Sequence, residues 1–186
     1  MRPPIPALAF IVSMALCLAS CGSESNAVKM DINDVYEEFM ECKNYSTEKF
    51  DCKEYTGKAI NGYFGIADFA DKKADGGYVA IENIMATVEA SGSWEKLGPA
   101  NDQSALDQAQ QYANDGKAAI AVSDQEGIGN VAIIMAGEQE GSGSWGGLKC
   151  PNSASFFMKG HKGSYVGKKL SYAWGKPDGI WIYVRN

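Results

Sequence analysis

The hydrophobic period of this chain changes at Gly116, and that change limits the folds open to it. Upstream, apolar residues recur at helical spacing. In 31–42, Ile32, Val35, Tyr36, Phe39 and Met40 fall at i, i+3, i+4, i+7 and i+8. A second helix is punctuated at its start. Asp51 is a good N-cap, Glu54 completes a capping-box-like pattern, and Cys52, Tyr55, Ala59, Ile60 and Tyr63 form one stripe. Residues 78–90 predict a third helix, and 104–114 a fourth, capped by Ser104 and closed at Asn114-Asp115-Gly116. Downstream, the period becomes two-fold or continuous. Residues 118–122 and 131–135 predict strands joined by a turn over 123–129, with a short strand at 154–158 and a terminal one at Ile180–Arg185. The glycine-rich 137–147 reads as a loop. Helices first and an antiparallel sheet after them indicate an α+β domain, its amino-terminal helices packed on the sheet.

Residues 1–20 stand apart from that domain. Arg2 precedes an apolar run at 7–19, the layout of an export signal and too short for a comfortable membrane span. Leu18-Ala19-Ser20-Cys21-Gly22 resembles the bacterial lipoprotein box. The resemblance implies cleavage before Cys21, acyl chains on that residue, and a protein held on a membrane of the cell envelope, facing the periplasm or exterior. Residues 21–30 are then a tether, and 31–186 are one domain. Removing Arg2 with the leader leaves 16 basic against 23 acidic residues, a charge of −7. That balance argues against nucleic acid as a partner. A single histidine excludes most zinc sites, and the sequence calls for no metal and no cofactor.

Cys42, Cys52 and Cys150 remain in an exported, oxidising setting. Three thiols leave one unpaired. Cys42 ends the first helix and Cys150 follows the glycine-rich loop, so a Cys42–Cys150 bridge would tie the amino-terminal helix to the sheet. Cys52, one residue past the expected N-cap, would then be free where orphan N–H groups favour a thiolate. Two plainer readings stay open. Cys52 is also the first apolar residue of its stripe, and it is a possible partner for Cys42.

From about Phe50 onward the chain resembles the NlpC-type, papain-like cysteine amidases of peptidoglycan, most nearly the small amidase effectors of type VI secretion. The blocks are Asp51-Cys52 with Tyr55; Ser93-Trp94-Glu95-Lys96-Leu97, expected to end a helix; Gly129-Asn130-Val131-Ala132-Ile133-Ile134-Met135-Ala136-Gly137; Trp145-Gly146; and the strand Ile180–Arg185. The resemblance implies Cys52 as nucleophile, peptidoglycan stem peptides as substrate, and hydrolysis of the γ-D-glutamyl–diamino acid bond through a thioester. It also places the family's base histidine at Asn130. An amide neither takes a thiol proton nor gives one to a leaving amine. A pseudoenzyme, an engineered inactivation, or a base supplied from elsewhere would each explain Asn130. A catalytically dead lipoprotein that binds peptidoglycan or a partner protein is the alternative function.

Three further features have two readings each. His161 is the only histidine able to replace the base, but it sits among glycines and lysines in a loop. Trp145 either stacks on a glycan or stem peptide, or caps the core. The lysines of 159–169 either meet an anionic surface or are simply solvated.

Overall fold

The continuous apolar runs near 120 and 133 lie where such runs belong, in the middle of a sheet covered on both faces. The structure is a computed structural model and describes residues 28–45, 52–124 and 131–186. The elements are α1 (Ile32–Tyr45), α2 (Tyr55–Phe64), α3 (Ile84–Ala90, entered through a 3-10 turn), β1 (Trp94–Pro99) and α4 (Gln103–Asn114). There follow β2 (Ala119–Ser123), β3 (Val131–Ile134), β4 (Glu140–Gly141), β5 (Lys149–Cys150), β6 (Asn152–Ser155), β7 (Tyr165–Lys169) and β8 (Ile180–Arg185). Six strands form an antiparallel sheet in the order β1-β8-β2-β3-β6-β7, while β4 and β5 pair separately.

Alternation along the central strands builds two cores. Ile120, Val122, Val131, Ile133, Ala154, Phe156 and Tyr183 face α1, α2 and α3, which contribute Val35, Phe39, Ala59, Ile60, Ile84 and Val88. The next residues along the same strands, Ala119, Ala121, Ala132, Ile134, Ile182 and Val184, face α4 through Ala105, Leu106, Ala109 and Ala113. Small residues on the strands let α4 approach closely. On the other face aromatics fill the space: Phe39 stacks on Phe156 with ring centroids 5.2 Å apart. The α+β expectation holds in this form, with the fourth helix on the far side of the sheet from the first three. The apolar core begins at Ile32, with Met30 packed against it.

Local signals decide the element ends. The cap of α4 is Asp102, whose carboxylate accepts from the Ser104 N–H at 2.9 Å, not Ser104 itself. The second helix starts later than the capping-box pattern implies. Glu54 immediately precedes Tyr55 but makes no capping bond, and its Oε2 instead accepts from the Tyr78 N–H at 3.4 Å. Asp51 lies outside the described residues. Gly65, at φ 70°, closes α2 in the left-handed conformation that glycine adopts freely. In the third segment, residues before Ile81 are not helical, and Tyr78 bridges to Ala70.

Two strands have no alternating pattern of their own. β1 comes from the segment expected to end a helix. It is strand because it pairs with β8, from Trp94 opposite Arg185 to Pro99 opposite Trp181. Arg185 and the Trp94 indole both donate to Asp68, at 2.8 Å each. β7 comes from the lysine-rich stretch read as loop, and lysines on an outermost strand discourage pairing with another chain.

Tyr165 on β7 supplies a pH test of this packing. Its hydroxyl donates to Ser153 Oγ (3.1 Å), which itself donates to the Lys168 carbonyl. Burial pushes the phenol up to about 12, outweighing the contact with Ser153, which lowers it. An unfolded tyrosine ionises near pH 10, so the unfolded chain loses this proton first. Stability should therefore be unaffected by Tyr165 below about pH 10 and fall above it, by at most about 1.4 kcal/mol per pH unit until about pH 12. Urea melts at a series of alkaline pH values should show that slope reduced, not abolished, in Tyr165→Phe, because burial also raises Tyr183.

Candidate functional site

Cys52 precedes α2 by three residues and is not free. Its sulfur is bonded to Cys42 on α1, ten positions earlier in sequence, with the two Cα atoms 6.1 Å apart. The residue is buried, within the core layer that also contains Phe39 and Phe156. Its backbone has φ 62°, the left-handed region that a residue with a Cβ seldom adopts, and its carbonyl accepts from the Tyr55 N–H at 3.4 Å. The chain thus turns sharply at Cys52 before entering α2. A disulfide sulfur carries no proton and no negative charge, so it is not a nucleophile of the kind the family uses.

The expected Cys42–Cys150 bridge is not formed, for a geometric reason. Cys42 packs against the α1–α3 core, whereas Cys150 lies in the α4 core beside Leu170 and Trp145. The six-stranded sheet stands between those cores. Among the described residues Cys150 is the free cysteine, fully buried, its Sγ 3.8 Å from the Leu148 carbonyl. Burial raises its pKa, against hydrogen bonds from Ser171 and Ser142 that lower it. A buried thiol of raised pKa is chemically quiet.

Trp145 is also structural. It is 2% exposed, and its indole N–H donates to the Trp174 carbonyl at 2.9 Å. Stacking on an incoming ligand would require it to leave the core, so the substrate-binding reading of Trp145 is replaced by core packing. Asn130, the position of the family's base, and Cys21, the expected lipidation site, lie outside the described residues. The neighbour of Asn130 in sequence, Val131, opens β3 on the face that the Cys52 layer covers. His161 sits in a 3-10 turn before β7, partly buried, with Nε2 enclosed and unpartnered. Among the described residues no cluster of His, Cys, Asp or Glu is arranged to hold a metal ion, and no helix is long and apolar enough to cross a membrane.

An open polar groove of about 500 Å³ lies on the α4 side, lined by residues of α4 and of the loop after β3. Gln110 organises its floor. The Gln110 amide donates to the Met135 carbonyl (2.9 Å) and to Asn114 Oδ1 (3.1 Å), and its Oε1 accepts from the Asn152 N–H (2.9 Å). Asn114 Oδ1 also accepts from the Gly137 N–H at 2.8 Å. Gly137 is required there, since a Cβ would come within 2.8 Å of Asn152 Nδ2. The sequence signal for this latch was a glutamine inside the apolar stripe of α4, one turn beyond Leu106. Compared with known proteins, the chain matches no family model and no curated protein.

The bridge has a measurable weight. Closing a loop of about this length stabilises a fold by roughly 2–3 kcal/mol in the chain-entropy account. Cys42→Ser should lower the urea midpoint by the equivalent amount, with the slope of the transition little changed. It should also expose a new thiol, Cys52, to alkylation when the loop opens.

Proposed function

We propose that this protein is a lipid-anchored component of the bacterial cell envelope, related in architecture to NlpC-type peptidoglycan amidases, that binds stem peptides without cleaving them. The observation that carries this reading is the Cys42–Cys52 bond. It occupies the sulfur at the position where the resemblance places the nucleophile. Asn130 supports the same conclusion independently, because a side-chain amide has no usable pKa for proton transfer. Loss of a single member of a nucleophile–base pair removes most of the rate, and here both are altered. What such a scaffold retains is recognition: a rigid three-layer frame presenting loops to a polymer. The anchoring half of the proposal rests on the lipobox at 18–22 and the tether behind it.

Incubation with purified sacculi tests the reading. The protein should co-sediment with sacculi and release no stem-peptide fragments detectable by mass spectrometry. Cys42→Ser combined with Asn130→His restores a free thiol and an imidazole at the family's positions, and fragments should appear only in that variant. Fragment release by the unaltered protein, abolished in Cys52→Ala, would show an active amidase and refute the non-catalytic reading.

A further inference from the structure

Charge in this acidic protein is sharply segregated. Between Gly141 and Pro177 there are six lysines and no aspartate or glutamate, while the rest of the mature chain holds ten basic against 23 acidic residues. The fold gathers part of that segment along one border. β7 is the outermost strand of the sheet, and the 3-10 turn at His161–Gly163 leads into it. Lys159, Lys162 and Lys168 are exposed, and Lys169 donates to the Gly141 carbonyl at 2.9 Å. None of these four lysines makes an ion pair with any described residue, whereas Lys53, Lys58, Lys96 and Arg185 elsewhere all do. The nearest acidic element, α1, carries Asp34, Glu37, Glu38 and Glu41. Glu38 is held by Lys58, and no ion pair crosses from α1 to the lysines of the border.

Aromatic groups accompany the cations. Lys168 Nζ lies 5.1 Å from the ring centre of Tyr172, which is 57% exposed and packs edge-on against Tyr165. Ammonium groups beside an exposed phenol suit a lipid headgroup layer, where the ring enters the interface and the amines meet phosphates. The border also adjoins the element that the tether enters. α1 packs along it, and Tyr36 donates to the Ser164 carbonyl at 3.2 Å. The ten residues 21–30 extend over at most about 35 Å.

We propose that the β7 border, through Lys159, Lys162, Lys168 and Tyr172, is a docking surface for an anionic phospholipid membrane. This goes beyond stem-peptide binding and does not depend on it. A protein of net charge −7 would otherwise be repelled by such a membrane, so the basic border dictates which side faces the lipid and turns the remaining faces outward.

The test uses the chain from Gly22, which retains the whole core and carries no lipid. It is sedimented with vesicles of phosphatidylcholine alone and with vesicles containing about a third phosphatidylglycerol. Binding is expected only to the anionic vesicles, and should disappear near 0.5 M salt, where the Debye length is only about 4 Å. Each lysine at such a surface multiplies partition about fivefold, so Lys159→Gln, Lys162→Gln and Lys168→Gln together should lower it about a hundredfold. Thermal melts check that the triple variant stays folded, and the comparison of the two vesicle types needs no variant. Equal partition into both vesicle types, or an unchanged triple variant, would overturn the proposal. So would loss of sacculus binding in the triple variant when no vesicle binds, because the border would then serve the polymer. Sacculus binding that fails while vesicle binding holds would refute the proposed function and leave this inference standing.

Discussion

The central strands β2, β3 and β8 are apolar on both faces, so the sheet they form must be covered twice. That demand shapes the rest of the molecule. Three helices cover one face and α4, with the Trp145 and Leu170 turns, covers the other. It also sorts the cysteines. Cys42 and Cys52 fall on one side of the sheet and Cys150 on the other, which leaves one feasible bridge among these three. β8 is central to both coverings, since it lies between β1 and β2. Without β8, β1 would have no strand to pair with.

The bridge connects this architecture to chemistry. In a papain-like site the cysteine opens a helix and keeps its sulfur accessible. Here the residue at that place is buried, turned into the left-handed region and bonded to the preceding helix. Each of these features stabilises or shapes the fold, and the bond leaves no thiolate to attack a carbonyl. Together with the amide that the resemblance puts at the base position, Asn130, they leave the proposal of binding without hydrolysis no need of a migrated base. His161 does not fill that role in the structure, as its Nε2 is enclosed without a partner.

Much of the fold was legible in the sequence. α1, α4, β2, β3 and β8 carry strong periodicity and appear within a few residues of their expected limits. What was hidden depends on neighbours distant in sequence. Trp94–Pro99 is a strand only because β8 lies beside it, and Tyr165–Lys169 is a strand whose lysines look like loop. The disulfide was hidden for a different reason. Sequence order made Cys42 and Cys150 look able to meet, but only the two-sided covering shows that a sheet separates them. Trp145 was ambiguous for want of its partner, since nothing in a glycine-rich loop announces that the indole donates to the Trp174 carbonyl. The Gln110 latch offered the opposite case: a polar residue in an apolar stripe was a visible signal, and it marks the groove.

The fold and the proposed function meet at one sulfur, that of Cys52, which is occupied. Rapid alkylation of the protein taken from intact cells, followed by intact-mass analysis and peptide mapping, addresses it most directly. No label is expected on the folded protein, a single label on Cys150 when denaturant is added without reductant, and labels on Cys42, Cys52 and Cys150 after reduction. Stoichiometric labelling of Cys52 in the folded, unreduced protein would contradict it.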